Sequence, residues 1–150
     1  MRRCLSLALA AVVVPLLTVS CLSDGRVYSH YEDIAGSRWD KSDTVTFRLP
    51  RLKAAGEYTP AVMVRTTDNY GYRNLNVVVR LYSDRLVRTD TLSLDIFDRN
   101  GMSQGHGLIH TEFSGKLPPV ELDTTEYTVS IQSLMTETPL VGVSGVGLTL

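Results

Sequence analysis

The chain has 150 residues, 15 basic and 16 acidic side chains and only two cysteines, Cys4 and Cys21. A formal net charge of -1 leaves no basic face with which to hold a nucleic-acid backbone. Two cysteines without a C-x-x-C pair exclude a disulfide-stapled scaffold and a thiolate metal knuckle, so a hydrophobic core has to hold the fold.

The first element is an export signal over residues 1–20. Arg2 and Arg3 form a basic start, Leu5 to Val19 is an apolar run broken by Pro15, and small residues lead to Cys21. The run is shorter than the roughly 20 residues that span a bilayer, which makes a retained transmembrane helix the weaker reading. A cysteine directly after the small residue is the mark of a lipoprotein signal, cut before a Cys whose sulfur then carries diacylglycerol. Thr18 stands where the usual lipobox has Leu, and Leu17 lies one place earlier. Simple secretion is the alternative. Cleavage there discards Cys4, leaving 13 basic and 16 acidic residues and one thiol at the mature N-terminus. An exposed lone thiol is oxidation-prone, and acylation removes that liability. Two or more acyl chains anchor a protein stably, so the expectation is a domain tethered to a membrane through Cys21 with no other cofactor.

Residues 21–25 form a short tether, and residues 26–150 read as one domain. Asp43 to Leu49 alternates, with Val45, Phe47 and Leu49 on one face, and Pro50 ends the run. Tyr58 to Thr66 continues the pattern, with Tyr58, Val62 and Val64 aligned, and Pro60 suggests an edge or a late start. Asn74 to Tyr82 is the most regular strand, with Leu75, Val77, Val79 and Leu81 on one side. Between these two, Asp68-Asn69-Tyr70-Gly71 has turn chemistry and predicts a hairpin. Leu86 to Phe97 is the next strand, followed by an Asp98-Arg99-Asn100-Gly101 turn and an irregular glycine loop to Gly107. Gly107 to Phe113 predicts a short strand, and Leu117-Pro118-Pro119 interrupts the sheet. Glu126 to Leu134 points Tyr127, Val129 and Ile131 inward, and Val141 to Leu150 closes the fold. After the signal no window of 11 residues holds a helical period. Seven to nine short strands indicate an all-β, antiparallel β-sandwich, Ig-like or jelly-roll-like.

Few residues suggest chemistry. His106, His110 and Glu112 on one extended strand would spread over about 13 Å or more, too far for one ion, and no metal site is expected. The glycine loop has neither the Lys-Ser/Thr of a phosphate-binding loop nor a following helix. No serine sits in G-x-S-x-G, and no carboxylate pair stands out as acid and base. The reading is a non-enzyme without a small-molecule substrate. Three aromatic residues are candidate contacts for a partner protein or a glycan: Trp39 before the first clear strand, and Tyr70 and Tyr72 beside the turn. Against that, Trp39 in the role of a cap on the core and the tyrosines as cover for the hairpin explain the same residues.

Several segments in order resemble the gliding-motility lipoprotein GldH family of the Bacteroidetes. They are Trp39 to Phe47, Asn69 to Leu75, Thr89 to Leu92, Gly101 to Gly107 and Tyr127 to Gly147. Gly71 departs from the family's Pro, Met102-Ser103 from a Trp, and Thr136 from an Arg. The resemblance implies a non-catalytic accessory lipoprotein of gliding motility, associated with type IX secretion and with other envelope proteins as partners. It supplies no catalytic residues. With only Asp24 as an acid just after Cys21, the expected address is the outer membrane, facing the periplasm.

Overall fold

A computed structural model describes residues 25–107 and 111–150. The signal, Cys21 and His110 lie outside the described residues. Two four-stranded antiparallel sheets pack face to face. The first has the order β1 (Ser29–Asp33), β12 (Val143–Thr149), β5 (Ala61–Thr66), β8 (Thr111–Lys116). The second has the order β3 (Thr44–Leu49), β10 (Tyr127–Ser133), β6 (Asn74–Tyr82), β7 (Val87–Asp95). Two short ribbons close the ends of the sandwich: β2 (Arg38–Trp39) with β11 (Leu140–Val141), and β4 (Gly56–Tyr58) with β9 (Val120–Leu122). A single 3₁₀ turn, Ala35–Ser37, is the one helical element among the described residues.

Alternation carries the core. Val45, Phe47 and Leu49 on β3, Tyr127, Val129 and Ile131 on β10, and Leu75, Val77, Val79 and Leu81 on β6 are all buried. They face Val62 and Val64 of β5 and Val146 and Leu148 of β12 across the sandwich. Removing such side chains from water, at about 25 cal/mol per Å² of apolar surface, is the main stabilising contribution in a fold without cross-links. The sandwich predicted from periodicity is the observed architecture.

Three local expectations are corrected. Tyr58 to Thr66 is two strands, because Pro60 offers no ladder N–H; Tyr58 pairs with Val120 while Val62 and Val64 pair within the first sheet. The strand expected over 107–113 runs instead from Thr111 to Lys116. The predicted hairpin between β5 and β6 does not form: β5 lies between β12 and β8, and β6 between β10 and β7. The chain does turn at Asp68-Asn69, where Tyr70 N–H donates to Thr67 O at 3.0 Å. The buried Tyr70 ring then carries the segment across the core to the other sheet, its hydroxyl donating to Asn74 O at 2.9 Å. Turn chemistry encodes the bend and not the partner strand.

Candidate functional site

The three aromatic candidates are structural to different degrees. Trp39 is fully buried, and its Nε1–H donates to Asp43 O at 3.1 Å. The loop between them is an Asx turn in which Ser42 N–H and Oγ–H both donate to Asp40 Oδ1, at 2.9 and 2.7 Å. Tyr70 is 3% exposed and meets Tyr72 edge to face at a centroid distance of 5.7 Å. Burial, with the Tyr72 hydroxyl beside it, raises the Tyr70 phenol above its ordinary pKa. A platform of Trp39, Tyr70 and Tyr72 is therefore corrected: Trp39 and Tyr70 have no ring face in solvent. Tyr72, half-buried and packed against the core, is the most exposed of the three.

The histidines are arranged differently from a single extended strand. His106 and Glu112 stand opposite each other in an antiparallel bridge, with His106 N–H donating to Glu112 O at 3.0 Å and Glu112 N–H to His106 O at 2.8 Å. These are backbone bonds. His30 lies apart, 3.1 Å from the Glu32 carboxylate and edge-on to Phe47. Among the described residues no three His, Cys, Asp or Glu side chains gather around one point.

An open cleft of about 820 Å³ lies between the edge strands β7 and β8, lined by Arg65, Ser93, Asp95, Gln104, His106 and Glu112 among others. Its positive charge is already engaged. Arg65 Nε lies 3.4 Å from Glu112 Oε2, and its guanidinium sits 3.8 Å over the Tyr31 ring. Tyr31 in turn lies on Gly147, where an added Cβ would meet the ring at 2.8 Å. The result is a four-strand ladder across the outer face of the first sheet: Tyr31 on β1, Gly147 on β12, Arg65 on β5 and Glu112 on β8. Burial, reinforced by the Glu112 carboxylate, pushes the Tyr31 phenol above its ordinary pKa. Sequence reading missed this ladder. Its signal was Gly145-x-Gly147, two glycines on one face of a strand, which calls for a ring to cover them.

The cleft thus mixes charged and polar side chains with the apolar Leu94 and Phe113, around an arginine held from two sides. The comparisons with known proteins bear on what kind of protein carries it. Residues 26–150 match the family model of the GldH lipoprotein. The chain belongs to the GldH lipoprotein family. It is also 33% identical, over 97 residues, to the gliding motility lipoprotein GldH of Flavobacterium johnsoniae. That similarity covers 64% of this chain and 60% of the relative, so the chain spans about three fifths of the length of the curated relative it matches. The range matched by the family begins just after the tether and takes in the whole sandwich. The two-sheet domain described above is therefore the part of the chain that the family describes, and family membership makes the protein a lipoprotein of the cell envelope.

Proposed function

We propose that this protein is a lipid-anchored component of the gliding-motility apparatus that works by binding other envelope proteins and not by catalysis. The observation that carries the proposal is the family match over residues 26–150. The relative from Flavobacterium johnsoniae is named for gliding motility, which supports the same process for this chain. Acyl chains on Cys21 hold the domain at the membrane, and residues 22–25 link the two. The sandwich then presents its strand edges, outer faces and end loops within the membrane plane, where tethering raises the effective concentration of membrane-bound partners. The address proposed is the periplasmic side of the outer membrane, supported by the single acid, Asp24, after Cys21. Association with type IX secretion belongs to the same proposal.

Two measurements test it together. Deleting the gene in the native bacterium is expected to abolish colony spreading and to reduce secretion of proteins that use the type IX route, with wild-type complementation restoring both. Mass spectrometry of the mature N-terminus is expected to find an acylated Cys21, and Cys21→Ser is expected to fail in complementation. A deletion strain that spreads and secretes normally overturns the motility role; a mature chain starting elsewhere than Cys21 overturns the anchor. No structural observation favours the glycan-binding alternative, since two of its three rings are buried.

A further inference from the structure

Each sheet of the sandwich has two edges, and they are not equally protected. In the first sheet, β8 is bonded on its outer side, at Glu112, to His106, and β1 is only five residues long. In the second, β3 has six residues and runs into Pro50. The fourth edge is β7, which pairs with β6 over nine consecutive residues without a bulge. At about 3.3 Å per residue it is roughly 30 Å long.

The orientation of its backbone groups follows from the register. Ser83 N–H donates to Leu86 O at 2.8 Å and Ile96 N–H to Arg73 O at 2.9 Å, at the two ends of the same antiparallel ladder. Alternate pairs in such a ladder are hydrogen-bonded. Arg88, Asp90, Leu92 and Leu94 therefore bond inward to β6, while the N–H and C=O groups of Val87, Thr89, Thr91, Ser93 and Asp95 point away from it. Among the described residues nothing pairs with these outward groups. The five side chains are exposed, Val87 by 79%.

Edges of this length are normally blunted by lysine, proline, a bulge or a covering segment. Val87 to Asp95 has none of the first three. Its charges are Arg88 and Asp90, paired with each other at 2.6 Å on the inner face, and Asp95 at the far end. The strand is also complementary to itself. In an antiparallel arrangement centred on Thr91, Thr91 meets Thr91, Thr89 meets Ser93 and Val87 meets Asp95. Arg88 falls opposite Leu94 and Asp90 opposite Leu92, so no like charges face each other. All the outward-pointing groups coincide in this register, because residues 87, 89, 91, 93 and 95 pair among themselves.

We propose that β7 is a dimerisation edge: two copies of this chain join β7 to β7 about a two-fold axis at Thr91, fusing their second sheets into one eight-stranded sheet. The interface is isologous and closes after two copies, which shields both edges from further strand addition.

The test uses the full acylated chain in its native membrane. In a hydrogen-bonded antiparallel pair the Cα atoms are about 5.5 Å apart, within the roughly 4.4–6.8 Å that a disulfide bridges. Thr91→Cys is expected to give an oxidant-dependent band of twice the chain mass. Arg80→Cys, exposed on the same sheet but one strand inward, is the control and is expected to give none. Adding Thr89→Pro to Thr91→Cys removes an N–H that serves only the edge, and is expected to abolish the band. Thr91→Lys leaves every backbone group in place and sets two ammonium groups across the axis. In detergent the wild type is expected to sediment at twice the mass of Thr91→Lys, with Thr91→Lys still unfolding in one cooperative transition. The proposal is overturned if Thr91→Cys links no more than Arg80→Cys, if it links to a different protein, or if the wild type sediments as a monomer.

Discussion

Gly142 is the position at which a single added carbon should do the most damage. It sits between β11 and β12 with φ +95°, in the left-handed region that side chains with a Cβ avoid. Its N–H donates to Ser37 O at 2.8 Å, and its carbonyl accepts from Thr67 N–H at 2.9 Å. An alanine Cβ there would collide with the Tyr70 backbone nitrogen, and would lie 2.6 Å from Tyr70 Cα and 2.8 Å from the Asn69 carbonyl carbon. Those are backbone atoms of the segment that crosses between the sheets, anchored by the buried Tyr70, so no flexible side chain can yield. Gly142→Ala therefore combines two costs: about 1–2 kcal/mol for the left-handed backbone and about 1–3 kcal/mol for overpacking, together about 2–5 kcal/mol. Gly36→Ala separates them, because Gly36 has φ +61° and an added methyl there would meet nothing within 4 Å; it should lose only the backbone part. In urea denaturation the midpoint of Gly142→Ala is expected to fall clearly below that of Gly36→Ala, at an unchanged slope. For a domain of this size each kcal/mol moves Tm by roughly 3–5 °C. Equal losses in the two variants would refute the claim that the crossing segment is rigid against Gly142.

Two further predictions concern the core and the pH dependence. Trp39→Ala empties the fully buried site between β2 and β3 and strips the Asp43 carbonyl of its donor; a loss of about 3–5 kcal/mol in chemical denaturation is expected, and a loss below about 1 kcal/mol would show that the end of the sandwich collapses without it. Asp123 accepts bonds from Thr125 N–H at 2.8 Å, the Thr125 hydroxyl at 2.5 Å and the Tyr127 hydroxyl at 2.8 Å. Those bonds, led by Thr125, hold its carboxyl below its ordinary pKa of 3.8. A carboxyl lowered in the folded state adds stability that is present above its unfolded pKa and is lost as pH falls through the folded value. Asp123→Asn should therefore flatten the decline in thermal stability below about pH 4, and an acid limb as steep as the wild type's would count against the assignment.

Much of the fold was legible in the residues, because a half-buried strand writes its two faces as alternation. Val45, Phe47 and Leu49, the even pattern of β6, and Tyr127, Val129 and Ile131 each fall on the inner face as their spacing predicts. What was not legible depends on partners distant in sequence. Asp68-Asn69 bends the chain equally well for a hairpin or for a crossover, and the buried Tyr70 decides for the crossover. Trp39 was ambiguous between core and surface for a similar reason: a ring near a strand end acquires burial only when Leu140, about a hundred residues away, pairs with it. His106 and Glu112 looked too far apart because local periodicity assumes a straight strand, whereas the two residues form an antiparallel bridge.

The division has a physical basis. Local order along the chain determines the features that depend on neighbours in sequence: the strand periodicity, the turn at Asp98, and the membership of a lipoprotein family through the order of its motifs. The tertiary structure decides which strands become neighbours, and hence which groups are left over. The covering of Gly147 by Tyr31, the clamping of Arg65 by Glu112, and the outer side of β7, unpaired among the described residues, all arise from strand order, which pairs residues such as Val64 and Val146 across more than half the chain. Hydrogen bonds between strands are alike whichever strands make them. The choice among partners therefore rests on how the whole core packs, and no single segment carries that information alone.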